Sequence, residues 1–176
     1  MLTFGCFKLN TGAMKKLRQL IPESLKPTFK AVRQFFYRAR FEGGEYFCPV
    51  CNKSVRRFKQ LPYGDTRCFS CGSDERHRLV YSFFKRRTDL LDGKQKHMLH
   101  VAPEPQFIPI FEKFLGPGYV TGELLNRHVT VQLDITNIQF PDAFFDVIYC
   151  SHVLEHVPED RKAMREFHRV REVMLS

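Results

Sequence analysis

The chain has 176 residues, 28 Lys and Arg against 19 Asp and Glu for a net charge of +9, and 43% hydrophobic residues. That length suits one domain, or one with a small appendage, and the apolar content excludes wholesale disorder. No apolar run reaches the roughly 18–20 residues that cross a bilayer, and the basic cluster Lys15, Lys16, Arg18 follows the apolar patch Leu2–Phe7, the reverse of a secretory signal. The expected location is cytoplasmic.

Residues 1–45 form a basic N-terminal segment holding +6 of the +9. Within it, Lys26 to Phe41 interleaves five Lys and Arg with five aromatic rings. Ser24 can cap its start and Gly43-Gly44 can stop it, so a helix is expected there. Phe29, Val32 and Phe36 keep helical spacing and favour docking on a core, whereas Phe35, Tyr37 and Phe41 spread beyond one stripe. An excess of positive charge suits an anionic partner, and equally a solvated basic face.

Residues 46–72 carry the sharpest local signal. Cys48-Pro-Val-Cys51 and Cys68-Phe-Ser-Cys71 are two C-x-x-C pairs separated by 16 residues, the spacing of a zinc ribbon. Four thiolates fill a tetrahedral Zn²⁺ shell and leave no open position, so the site reads as structural. Asn52 and Gly72, each just after the second Cys of its pair, tolerate the left-handed backbone such knuckles need. Leu61 to Asp65 is a turn, which makes the finger a small β-hairpin. Cys6 and Cys150 are left over as free thiols.

Residues 73–93 read as a linking helix. Ser73-Asp74-Glu75 supplies its cap and acidic first turn, and Leu79, Val80, Phe83, Phe84, Leu90 and Leu91 recur at helical intervals. Arg76-His77-Arg78 on its polar face is read as a solvated face, with anion binding as the alternative. From 94 to 176 the texture changes to short apolar runs alternating with helical stretches. Strands are expected at 97–101, 119–123, 129–134 and 145–150, with helices at 106–115 and 159–171. That alternation implies an α/β, Rossmann-like parallel sheet with flanking helices, which binds ligands beyond the carboxyl ends of its strands. At those ends stand Glu123, placed to accept both hydroxyls of a ribose, and Asp134-Ile135, whose carboxylate can accept from an adenine amino group.

The stretch FPDAFFDVIYCSHVLEHVPED across the fourth strand resembles the class I S-adenosylmethionine-dependent methyltransferases, particularly their small-molecule-type subgroup. With the C-x-x-C pairs and the run LHVAPE, the chain from about Phe47 to Val170 is similar to bacterial methyltransferases carrying an N-terminal zinc ribbon. The resemblance implies S-adenosyl-L-methionine as cofactor. Its first loop departs from the family: where an acidic residue and three glycines are usual, this chain has His100-Val101-Ala102-Pro103-Glu104-Pro105. On this reading Ala102 allows the close backbone approach, Glu104 faces the cofactor's ammonium group, and His100 and Ser151 complete the cofactor side. His152, just past the fourth strand, is the expected general base, because imidazole titrates near neutrality.

A competing motif is His152-x-x-Glu155-His156, which matches the inverted zinc-peptidase signature. Its position directly after a buried strand fits a ligand-binding βα loop better. The methyl acceptor is open among small molecules, glycans and RNA, and a non-catalytic zinc-ribbon module binding nucleic acid or another anionic polymer is the alternative. Family members continue as HRVLKPGG into further strands. Here His168-Arg169-Val170 runs into Arg171 to Ser176, so the C-terminal strands are expected to be missing and the fourth strand to be an open edge available for association.

Overall fold

The computed structural model describes residues 40–171 apart from Arg127, with Pro22, Leu25, Thr28, Val32 and Phe35. The expected basic helix lies almost wholly outside the described residues, as does Cys6. Its expected stop at Gly43-Gly44 lies inside a strand, β1 (Glu42–Cys48), which pairs antiparallel with β2 (Lys53–Val55). Glycine is required at 44, since a Cβ there would collide with the backbone of Arg56.

Two hairpins, rather than the one expected, carry the cysteine pairs. The β1–β2 hairpin turns through the first knuckle, with Cys48 opposite Lys53. The second, β3 (Lys59–Gln60) against β4 (Thr66–Arg67), closes over the Leu61–Asp65 turn, where the Leu61 N–H donates to the Asp65 carbonyl at 2.8 Å. Asn52 and Gly72 take the left-handed backbone expected of them, at φ 54° and 76°.

Helix α1 (Glu75–Arg87) starts in a capping box, with the Asp74 N–H donating to His77 Nδ1 at 2.9 Å. The Arg67 guanidinium grips the Asp74 carboxylate in bidentate fashion, at 2.6 and 2.8 Å, and so ties β4 to the first turn of α1. The inner face of α1 is narrower than its apolar content suggests. Phe84 is buried, while Leu79 and Phe83 are exposed.

The remaining strands build one parallel sheet. In chain order they are β5 (Met98–Val101), β6 (Tyr119–Glu123), β7 (Val131–Gln132) and β8 (Val147–Cys150), and in space β7-β6-β5-β8. Helix α2 (Ile108–Leu115) links β5 to β6, and α3 (Asp160–Val170) follows β8. The chain therefore steps outward from β5 to β7 and then crosses to the other side of β5, which makes the β5–β8 boundary a topological switch point. The expected third strand at 129–134 shrinks to two residues. The reason is local: the Thr130 N–H donates to the Thr121 hydroxyl at 2.8 Å instead of joining a main-chain ladder.

All four residues of β5 are buried, so both faces of the sheet are covered. Met98 packs with Phe84, Leu90, Phe107, Phe111 and Tyr119 on the α1/α2 face. Leu99 and Val101 pack with Leu133, Ile135, Phe145 and Ala163 on the α3 face. Alternation continues in β8, where Val147 and Tyr149 join the first layer and Ile148 and Cys150 the second. The ribbon's own small core, Cys48, Val50, Val55 and Cys68, abuts Tyr81 of α1 and Ile110 of α2. Among the described residues β8 is one of the two edge strands, and just before it Phe145 makes a parallel bridge with Arg171. No described helix is long and apolar enough to cross a membrane.

Candidate cofactor cleft and cysteine quartet

A cleft of about 510 Å³ opens at the carboxyl ends of the parallel strands, a size that suits a small organic ligand. Val101, the last residue of β5, and Ala102 form its floor, Glu123 stands at the end of β6, and Leu133 to Thr136 follow β7. His152 and Val153, past β8, and Val157 to Glu159, entering α3, close the other side. Sequence-expected residues brought together here are Ala102, Glu123, Asp134, Ile135 and His152.

Two walls of the cleft hold backbone that side-chain-bearing residues rarely adopt. Ala102 has φ 48° and His152 has φ 55°. Each strained residue sits at a strand end flanking the switch point, the kind of place where strain persists only because its surroundings fix it. Ala102 thus supplies the left-handed turn that glycine usually provides, anchored by its N–H donating to the Gly122 carbonyl at 2.9 Å. His152 is exposed, with Nδ1 at 3.1 Å from Glu155 Oε1. Asp134 accepts from both the backbone N–H and the hydroxyl of Thr136 at 2.8 Å, and these bonds hold its carboxyl below the ordinary range. Both fall on Oδ1.

Three expected cofactor residues are not in the cleft lining, namely His100, Glu104 and Ser151. For His100 the strand's alternation corrects the expectation, because its ring points to the α1/α2 face and touches Phe111, Tyr119 and Tyr149. It is fully buried, Nε2 accepts the Glu104 N–H at 3.3 Å, and Nδ1 then donates to the Tyr119 hydroxyl at 2.7 Å. Burial pushes its pKa down to about 4.

Since the unfolded chain protonates this imidazole near 6.5, stability falls as the pH drops from about 6.5 toward 4, by on the order of 3 kcal/mol. Above that window the group contributes nothing. Urea midpoints at pH 7 and pH 4.5 should show a smaller loss in His100→Asn than in the parent. Equal losses in the two proteins would contradict a buried neutral imidazole.

Glu104 requires the second correction. Its carboxylate faces α1, with Arg76 Nη2 and His77 Nε2 each 3.2 Å from Oε1 and the Tyr149 hydroxyl donating to Oε2 at 2.8 Å. Burial opposes its charge, yet hydrogen bonds from His77 and Tyr149 hold the carboxyl below its ordinary range. His77, 4% exposed, is therefore not on a solvated face, whereas Arg76 stays exposed while reaching Glu104. Sequence reasoning names Arg76 and His77 as a solvated or anion-binding face without finding Glu104 as the anion, and it gives Tyr149 no role. It also missed Thr136, His156 and Glu159 in the cleft, although the last two stand in the same loop-and-helix run as His152.

The inverted-peptidase geometry is absent. His152 precedes a single 3₁₀ turn, Leu154–His156, so the two imidazoles do not share a helical face. Among the described residues, the only cluster able to hold a metal ion is Cys48, Cys51, Cys68 and Cys71, whose sulfurs all lie within 4.8 Å of one another. Sulfurs this close share protons: hydrogen bonds from Cys51, Cys68 and Cys71 favour the thiolate at Cys48, and that bond favours the thiol at Cys51. A cation would satisfy all four at once. Cys150 stands apart, its thiol pushed up to about 11 by burial.

Residues 91–172 match a family model described as a methyltransferase domain. Searches of curated proteins and of solved structures give no match.

Proposed function

We propose, from the premise that residues 91–172 belong to the class I methyltransferase domain family, that this chain moves the methyl group of S-adenosyl-L-methionine to an acceptor entering beside His152. The observation that carries the reading is the cleft at the strand ends, with Glu123 and Asp134 on one wall and the left-handed Ala102 at its floor. Its chemistry fits the cofactor: carboxylates suit ribose hydroxyls and an adenine amino group, and Val101, Leu133 and Ile135 offer an apolar bed for the base.

The cofactor supplies a sulfonium-activated methyl group, so the protein's work is alignment and exclusion of water. Glu123 would accept from the ribose hydroxyls, and Asp134, pre-oriented by Thr136, would accept from the base. The turn at Ala102 lets the main chain approach closely. His152 takes the proton of an acceptor hydroxyl or amine, and Glu155 at 3.1 Å steadies its ring. Small molecules, glycans and RNA all remain acceptor classes that an imidazole base serves. The cysteine quartet would hold Zn²⁺ as a structural site, with Cys48, Cys51, Cys68 and Cys71 as its ligands.

Calorimetric titration of the zinc-loaded chain with S-adenosyl-L-methionine tests the reading. One molecule bound per chain, with a thermal shift, is expected; neither heat nor shift would remove it. In turnover with radiolabelled methyl donor and fractionated small molecules, glycans and RNA, His152→Ala is expected to cut kcat roughly 100-fold or more while cofactor affinity stays at the parent's value. Unchanged turnover would exclude His152 as the base.

A further inference from the structure

We infer that the second cysteine knuckle and the first turn of α1 form a brace that sets the backbone of the cofactor loop, with His77 and Glu104 as its positioning residues. The inference rests on the cofactor assignment above only for its functional consequence, since the brace itself is a set of contacts.

The contacts run from the cysteine knuckle to Glu104, two residues past Ala102 of the cleft. Ser73, fully buried, meets Cys48 Sγ at 3.3 Å and Cys71 Sγ at 3.1 Å, and its carbonyl accepts the Cys68 N–H at 2.8 Å. The next residue, Asp74, donates its N–H to His77 Nδ1. Because Nδ1 accepts, the neutral ring carries its proton on Nε2 and donates to Glu104. A second strut joins the same two regions, the Gln106 amide donating to the Gly72 carbonyl at 3.2 Å. Between these struts and β5 lies Ala102, whose left-handed backbone needs restraint from outside. Glu104 also takes the Tyr149 hydroxyl, three residues before His152, so one carboxylate ties together the ends of β5 and β8 that wall the cleft.

Ordinary core packing would not need this arrangement. A largely buried carboxylate is costly unless it is paired, and its partners here come from two other elements, α1 and β8. An ionic clasp of this kind fixes geometry more than it adds stability.

The test separates capping from bracing at one position. Glutamine at 77 can accept the Asp74 N–H and donate to Glu104, whereas glutamate can accept the same N–H but turns a like charge on Glu104. Hydrogen exchange of the Glu104 and Phe107 amides is measured by mass spectrometry on the zinc-loaded full chain, beside zinc content and S-adenosyl-L-methionine affinity. His77→Gln should match the parent. His77→Glu should keep one zinc per chain, speed exchange at both amides at least tenfold, and weaken cofactor binding at least tenfold. Tyr149→Phe, which removes a single hydroxyl, should shift both readouts in the same direction and serves if His77→Glu does not fold.

Parental exchange in both His77→Glu and Tyr149→Phe would overturn the brace. Faster exchange with parental affinity would overturn its role in the cofactor loop. If the parent itself binds no cofactor, the functional assignment fails, while the exchange readout still decides whether the brace exists.

Discussion

Replacing Cys68 with Ser is expected to abolish stoichiometric zinc binding and to lower the melting temperature by 10 °C or more, as an order-of-magnitude expectation. Cys68 is 1% exposed and sits inside the ribbon's own core with Cys48, Val50 and Val55. That core is tiny. Its strands have seven, three, two and two residues, far too little apolar surface to order two hairpins unaided. An ion held by the four cysteines would therefore supply much of the folding energy, since structural zinc sites deliver on the order of 10 kcal/mol or more.

Losing even about half of that shifts the melting point of a chain this size by roughly 10–20 °C. The parallel sheet keeps the Phe84, Phe107 and Phe111 layer, so a residual transition should survive the loss. Zinc content by elemental analysis and melting followed by circular dichroism check the expectation together. Full zinc occupancy with an unchanged melt would rule out a tetrathiolate site.

How much of this could be read from the chain depended on whether the signal was local. Two C-x-x-C pairs define four ligands by spacing alone, and the structure brings their sulfurs within 4.8 Å. Glu123 and Asp134 were legible because the end of a strand is marked by the change from apolar to acidic. Which way a side chain points from a doubly covered strand was not legible. Met98, Leu99, His100 and Val101 are all buried, so no polar–apolar alternation betrays their parity. His100 consequently looked like a cofactor residue and lies on the opposite layer. The Glu104 clasp was hidden for a different reason. Its partners are 27, 28 and 45 residues away, and nothing in a single sequence pairs them. The third strand's shortness turned on one hydroxyl, that of Thr121, occupying the bond of Thr130.

Glu123→Ala should weaken S-adenosyl-L-methionine binding about 10- to 100-fold while leaving the melting temperature of the ligand-free chain within 1–2 °C of the parent, both rough expectations. A carboxylate accepting from two hydroxyls makes charge-assisted hydrogen bonds worth about 1.5–3 kcal/mol, which is the source of that range. The stability expectation follows from geometry. Glu123 is half-buried at the open end of β6, and its part in the sheet is played by its backbone, whose carbonyl accepts the Leu133 N–H at 3.1 Å. Asp134 makes the informative contrast. Its Oδ1 already accepts twice from Thr136, so Asp134→Ala loses a loop-ordering turn as well as a ligand contact. It should therefore lower both affinity and melting temperature, where Glu123→Ala lowers affinity alone. Titration calorimetry and thermal melts on the two variants distinguish a carboxylate that holds the ligand from one that also holds the loop. Parental affinity in Glu123→Ala would remove the ribose contact, and with it the orientation assigned to the cofactor in the cleft.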